Sequence, residues 1–281
     1  MTVPGSPGRT VASMDAGRTR ATNQPAPLVG ANLVTGDAGL VAALERWQTD
    51  SIPETPIPKA LAELGAVGAT AEAREHGLTA NRNLPTLRTF DRYGNRIDEV
   101  EFHPSWHWLM GHAVEFGLHA SPWLEGDPQA HLRRAAGFYA WSQVEMGHGC
   151  PISMTYSAVP ALRADAGLTD LWAPLLASRR YDPVLVEPSA KSGALAGMGM
   201  TEKQGGSDVR SNVTTATSLD VDGEYLLTGH KWFCSAPMND VFLVLAQATD
   251  GLTCFVVPRV LPDGTRNVFR LQRLKDKLGN R

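Results

Sequence analysis

At Pro183 the hydrophobic period of this 281-residue chain changes. Before it, apolar residues recur at helical spacing; after it, they follow a period of two. Helices first and strands second predict an α+β protein rather than an alternating βαβ chain. Six strand-like stretches in under 90 residues point to a small antiparallel barrel or sandwich after the helical part. They are residues 193–200, 212–219, 224–234, 241–247, 252–258 and 267–275. Asp222-Gly223 and Pro262-Asp263-Gly264 read as turns between strands.

In the first part, Leu40, Ala43, Leu44 and Trp47 share one helix face, and Asp37 stands near its start. Pro53, Pro56 and Pro58 break the chain. A second helix is expected over Lys59–Glu75, with Leu61, Leu64 and Val67 on one side. Residues 77–101 read as an irregular connection containing the turn Tyr93-Gly94-Asn95. Further helices are expected from His103 to His119, from Asp127 to Gly147, from Cys150 to Ala166 and from Leu168 to Ser178. Residues 1–28 are rich in Gly, Pro, Ser, Thr and Ala and read as a flexible arm. The expected division is therefore an arm over 1–28, a helical domain over 29–183 and a β-domain over 184–281.

One stretch of the second part carries chemistry. Gly193–Met200 is a short apolar run of small residues, read as a buried strand. Thr201-Glu202-Lys203-Gln204-Gly205-Gly206-Ser207-Asp208 follows as a polar loop whose glycines let backbone approach a ligand. Gly229-His230-Lys231-Trp232-Phe233-Cys234-Ser235 then sets aromatics beside small polar groups. The combination suits a planar cofactor with an anionic tail. The ordinary alternative is a strand and a hairpin loop.

Other clusters have simpler readings. His103, His107, His112 and His119 sit among Trp106, Trp108, Leu109 and Met110 and read as packing residues, since no HExxH pattern is present. Glu145, His148 and Cys150 read as a helix-end group, and no metal is expected. Arg133-Arg134 and Arg179-Arg180 read as solvated faces. Arg270, Arg273, Lys275, Lys277 and Arg281 form a denser basic run that either reaches phosphates or lies exposed. There is no GxSxG, Walker or CxxC motif, and the glycines make no convincing dinucleotide fingerprint.

The formal net charge of −3 gives no global basic field for nucleic acid. Three distant cysteines fit free thiols in a reducing compartment, so a cytoplasmic location is expected. No apolar run approaches the roughly 18 residues that suggest a membrane span, and no secretory signal is recognisable.

Met200–Asp208 resembles the first flavin-binding segment of acyl-CoA dehydrogenases, commonly TEPxAGSD. Gly229–Ser235 resembles the second, commonly GxKxWITN. Lys203-Gln204-Gly205 in place of the usual proline resembles the AidB-like branch, associated with the adaptive response to alkylation. Asn23-Gln24-Pro25, Phe102–His107, Cys150–Thr155 and Arg273–Arg281 resemble that branch too. The resemblance implies FAD as cofactor, and an N-terminal helical domain with a middle β-barrel. It also implies a C-terminal helical bundle, which is expected to lie beyond Arg281.

By that resemblance the cofactor-binding residues are Met198, Gly199, Met200, Thr201, Gly206, Ser207, Phe233, Cys234 and Ser235. Thr201 is matched to the flavin ring and Ser207 to the pyrophosphate. Phe233 is matched to the ring cover and Ser235 to a hydroxyl near N5. The implied reaction is α,β-dehydrogenation of an acyl-CoA thioester. The catalytic residue is unknown, because the family's base is expected beyond Arg281; Glu202 and Asp208 read as loop-structuring groups. The chain is accordingly expected to be an inactive or weakly active fragment of a homotetrameric protein. The alternative is a flavin-containing, DNA-associated protein of the alkylation response whose DNA-binding domain is not in this chain.

Overall fold

The computed structural model describes residues 23, 25, 28–47, 57–221 and 223–276. The arm expected over 1–28 falls almost wholly outside these residues, as do Pro53, Pro56, Asp222, Lys277 and Arg281.

The helical part begins with α1 (Ala38–Trp47), where Asp37 Oδ1 accepts from the Leu40 N–H at 3.0 Å. The single helix expected over Lys59–Glu75 is two helices, α2 (Lys59–Gly68) and α3 (Ala71–Arg82). Thr70 causes the break. Its hydroxyl accepts from the Ala73 N–H at 3.0 Å and caps a new helix instead of continuing the old one.

Residues 77–101 are not an irregular connection. After α3 they form a hairpin of β1 (Thr86–Phe90) and β2 (Arg96–Glu101). Its outward residues are charged and its apolar ones few, which hides the alternation in the sequence. The expected turn is there, with Asp91 accepting from the Tyr93 and Asn95 N–H groups.

Next come α4 (Pro104–Glu115), α5 (Pro122–Glu125), α6 (Ala130–Ser142), α7 (Gly149–Leu162) and α8 (Ala166–Leu176). Leu64, Leu109, Met110, Trp141 and Ile152 fill the centre of this part. A second cluster joins it to the sheet, where Ala158, Val159, Leu162, Trp172 and Leu176 meet Ala196, Val241 and Leu243.

The sheet part contains β3 (Ala196–Gly199), β4 (Thr215–Ser218), β5 (Tyr225–Thr228), β6 (Val241–Ala248) and β7 (Gly251–Pro258). The expected antiparallel barrel is instead an open, mixed sheet. β6 runs antiparallel to β7 along one edge and parallel to β3 and β4 along the other. The chain between β3 and β6 is long enough for a crossover, so the two strands enter side by side in the same direction. Val241–Val244 are all buried, which explains the unbroken apolar run of β6.

The strand expected over 267–275 is an irregular strap. Its backbone is held by scattered bonds instead of a ladder: the Asn267 N–H donates to the Arg259 carbonyl at 3.0 Å, and the Leu271 N–H donates to Asp98 Oδ1 at 3.1 Å.

Candidate cofactor site

β3 alternation sorts the first site residues. Met198 and Met200 pack against the cluster shared with α7 and α8. Gly199 faces the other way. A methyl group there would lie 3.4 Å from Lys231 Cγ and Val244 Cγ2, and 3.7 Å from Cys234 Sγ. Gly199 and Cys234 are therefore neighbours on one wall, while the two methionine side chains serve the core behind it.

The loop after β3 folds back on itself. Glu202 and Gly205 exchange backbone hydrogen bonds, and the Thr201 carbonyl accepts from the Trp232 N–H at 2.8 Å. A Cβ at Gly206 would lie 2.7 Å from Thr201 Oγ1, so this close approach requires glycine. Ser207 and Ser235 are exposed. Thr201 and Gly206 are thus in contact, and the 229–235 segment is tied to the loop at its base.

Glu202 is 2% exposed and accepts five hydrogen bonds. Donors are Gln204 Nε2 at 2.8 Å, the Val213 N–H at 2.8 Å and the Thr214 N–H at 3.0 Å, with the Thr214 hydroxyl at 2.5 Å and Lys231 Nζ at 2.9 Å. Burial alone would raise this carboxyl. The Thr214 hydroxyl, the Val213 N–H, Lys231 and Gln204 outweigh it and hold the group well below the usual carboxylate range. Glu202 structures the loop, as its sequence position suggested.

Phe233 stands at φ +63° and is 56% exposed, with Lys275 Nζ 4.0 Å from its ring centroid. Ala236 also has positive φ, at +46°. Two non-glycine residues in the left-handed region within four positions mark a segment held in shape by its surroundings. Burial pushes the Cys234 thiol up, with Lys231 opposing, so the thiol stays protonated.

Of the expected cofactor residues, Gly199, Phe233 and Cys234 border a groove of about 680 Å³, whereas Met198, Met200, Thr201, Gly206, Ser207 and Ser235 are not among its described lining residues. Gly199, Val244, Val257, Leu226 and Leu227 line it together with residues 268–275 of the strap. Lys231, Arg270, Arg273 and Lys275 line it, and no Asp or Glu is among its described lining residues. Arg270 and Arg273 have no ion pair among the described residues.

The histidines are structural. His103 caps α4, accepting from the Ser105 N–H at 3.1 Å. His107 Nδ1 lies 2.6 Å from the Tyr181 hydroxyl, and His112 packs edge-on to Trp108. His119 is buried on the Ser178 carbonyl, and His148 Nδ1 lies 2.9 Å from Glu145 Oε2.

Two pairings escaped the sequence. Asp98, at φ +46°, receives the strap backbone, and the Asp98 carbonyl accepts from Arg259 Nη2 at 2.8 Å. Lys191 Nζ reaches Asp240 at 3.0 Å beneath the junction of the two parts. Neither has a local signal, because each joins residues tens of positions apart.

The helical part, the mixed sheet and the glycine loop that follows β3 define an acyl-CoA dehydrogenase-type protein. The family described as "Adaptive response protein AidB N-terminal domain" matches residues 23–183, and "Acyl-CoA dehydrogenase, middle domain" matches residues 197–281. The chain belongs to the AidB-type acyl-CoA dehydrogenase family. It is 49% identical over 266 residues to the putative acyl-CoA dehydrogenase AidB of Escherichia coli, covering 92% of this chain and 47% of that protein. It is 30% identical over 253 residues to acyl-CoA dehydrogenase family member 11 of Caenorhabditis elegans, covering 85% of this chain and 40% of that protein. The crystal structure of Caenorhabditis elegans ACDH-11 in complex with C11-CoA superimposes with a TM-score of 0.74 at 26% identity, covering 94% of this chain and 46% of that one. The apo form of Bd2924 gives 0.74 at 28% identity, covering 89% and 50%. The chain spans about half the length of these relatives. Among the described residues no helix is long and apolar enough to cross a membrane.

Proposed function

We propose that this chain carries the FAD platform of an oxidoreductase that dehydrogenates an acyl-CoA thioester. The observation that carries the reading is the groove: apolar lining residues, an exposed aromatic ring at Phe233, and cationic lining residues without carboxylates among those described. A flat ring joined to a diphosphate has that chemistry, so the residues fit the cofactor. Oxidation across the Cα–Cβ bond of the thioester is the chemistry FAD supplies when bound.

The chain's own residues bind and orient. Thr201 and Ser207 offer hydroxyl and backbone donors, and Gly206 lets the loop close. Phe233 covers the ring, Ser235 offers a hydroxyl beside it, and Met198, Gly199, Met200 and Cys234 support the strand behind it. No proton-abstracting role falls to Glu202, whose oxygens are occupied by five donors. The base, a C-terminal helical bundle, a homotetramer and a boundary near residue 183 belong to the same proposal for the whole protein. Three free thiols suit a reducing cytoplasm.

Purified chain mixed with FAD is expected to show flavin absorbance that is partly lost on gel filtration, and no anaerobic bleaching by a short branched acyl-CoA. Failure to retain any flavin under excess FAD overturns the reading, and bleaching overturns the assignment of the base elsewhere. The unpaired Arg270 and Arg273 favour one second reading, a flavin protein that also contacts DNA. Salt-sensitive DNA binding lost in Arg270→Ala/Arg273→Ala supports it.

A further inference from the structure

Glu202 and Lys231 are 29 residues apart and form a buried ion pair, their side chains 2% and 10% exposed. Glu202 collects donors from three separate stretches: its own loop through Gln204, the approach to β4 through Val213 and Thr214, and the second site segment through Lys231. Within the loop itself, backbone support is limited to the Glu202–Gly205 exchange. Lys231 lines the groove, its stem packed on Gly199 beside Cys234. Lys231 thus borders the groove while its ammonium is paired with Glu202, which is not among the described lining residues.

We propose that the Glu202–Lys231 pair is a positioning device for the flavin, locking the 201–206 loop to the 229–235 segment and balancing the charge of Lys231 at the groove. This rests on the FAD reading above. Glu202→Gln leaves the Lys231 cation unbalanced at the groove, and Lys231→Met removes the cation and leaves the Glu202 carboxylate to its neutral donors. A nearby cation favours the more negative, reduced cofactor, and a nearby anion disfavours it. The two variants therefore displace the cofactor's charge environment in opposite directions while loosening the same loop.

The test uses the 281-residue chain, FAD, and four forms: wild type, Glu202→Gln, Lys231→Met and the double variant. FAD dissociation constants come from quenching of flavin fluorescence, midpoint potentials from equilibration with redox dyes, and amide exchange at Val213 and Thr214 from the apo proteins. Each single variant is expected to bind FAD about tenfold to a hundredfold more weakly, the loss expected of a displaced loop. Glu202→Gln is expected to raise the midpoint potential and Lys231→Met to lower it, with the double variant returning towards wild type. A merely structural pair would weaken binding in both variants without opposite shifts, and that result overturns the proposal. So does wild-type affinity in Glu202→Gln accompanied by faster exchange at Val213 and Thr214. A wild-type chain that binds no FAD defeats the flavin reading itself, while faster exchange at Val213 and Thr214 in apo Glu202→Gln still reports the loop lock separately.

Discussion

In the helical part His119 is 1% exposed, with Nε2 on the Ser178 carbonyl at 2.9 Å and Nδ1 without a partner. In the sheet part Glu202 is 2% exposed and has five donors. Burial pushes His119 down to about 4, helped by the charges of Arg179 and Arg134 and opposed by the Ser178 carbonyl, so it is buried neutral. Glu202 is buried charged because its partners outweigh desolvation. The contrast separates two ways of holding structure. At His119 the helical part tolerates a buried polar group by keeping it neutral. The site loop rests on a charged hub that is useful only while it is fully partnered.

The strongest way to break the packed side is Trp141→Ala, which removes a side chain 1% exposed at the centre of the helical core. A loss of up to about 5 kcal/mol is expected in urea unfolding. Glu202→Ala strikes the charged side and leaves Lys231 buried without its partner. We expect a loss of about 4 kcal/mol and protection from exchange to fall first at Val213 and Thr214.

The pH dependence sharpens the comparison. His119 titrates lower when folded than its ordinary 6.5, so its contribution is complete above about 6.5 and is lost as pH falls towards 4. That amounts to about 3 kcal/mol at most, and His119→Gln should flatten the stability curve in this window. The Glu202 contribution is present above its ordinary value of 4.5 and is lost only as pH falls below it. An acid titration of wild type should therefore weaken the helical part before the loop. The smallest effect on stability is expected for Phe233→Gly. The ring is exposed and its backbone is left-handed, so the change should stay below about 1 kcal/mol while FAD retention falls.

Much of the helical part was legible because helical spacing is a local signal. α1, α4 and α6 fall inside the stretches that carry it, and α7 and α8 start only one and two residues before theirs. The split between α2 and α3 was missed because apolar periodicity runs on past Thr70, and only the cap geometry shows that its hydroxyl ends one helix and starts another. The β1–β2 hairpin was missed for a different reason, since Arg88, Glu99 and Glu101 face outward and leave too few apolar residues to alternate. The glycine loop was recognisable from its residue types, whereas the partner of Glu202 was not. Nothing around Lys231 indicates which carboxylate it will meet.

Sequence by itself therefore determined a mostly helical part followed by strands, a strand over most of β6, and a glycine loop after β3. Each follows from neighbours a few residues apart. Tertiary structure decided that β3 and β4 run parallel to β6, that the 267–275 stretch is a strap tied to Asp98, and that one buried ion pair joins the two site segments. These depend on crossovers and on charges brought together from distant positions. Their free energy exists only once the core of α7, α8, β3 and β6 has formed around them.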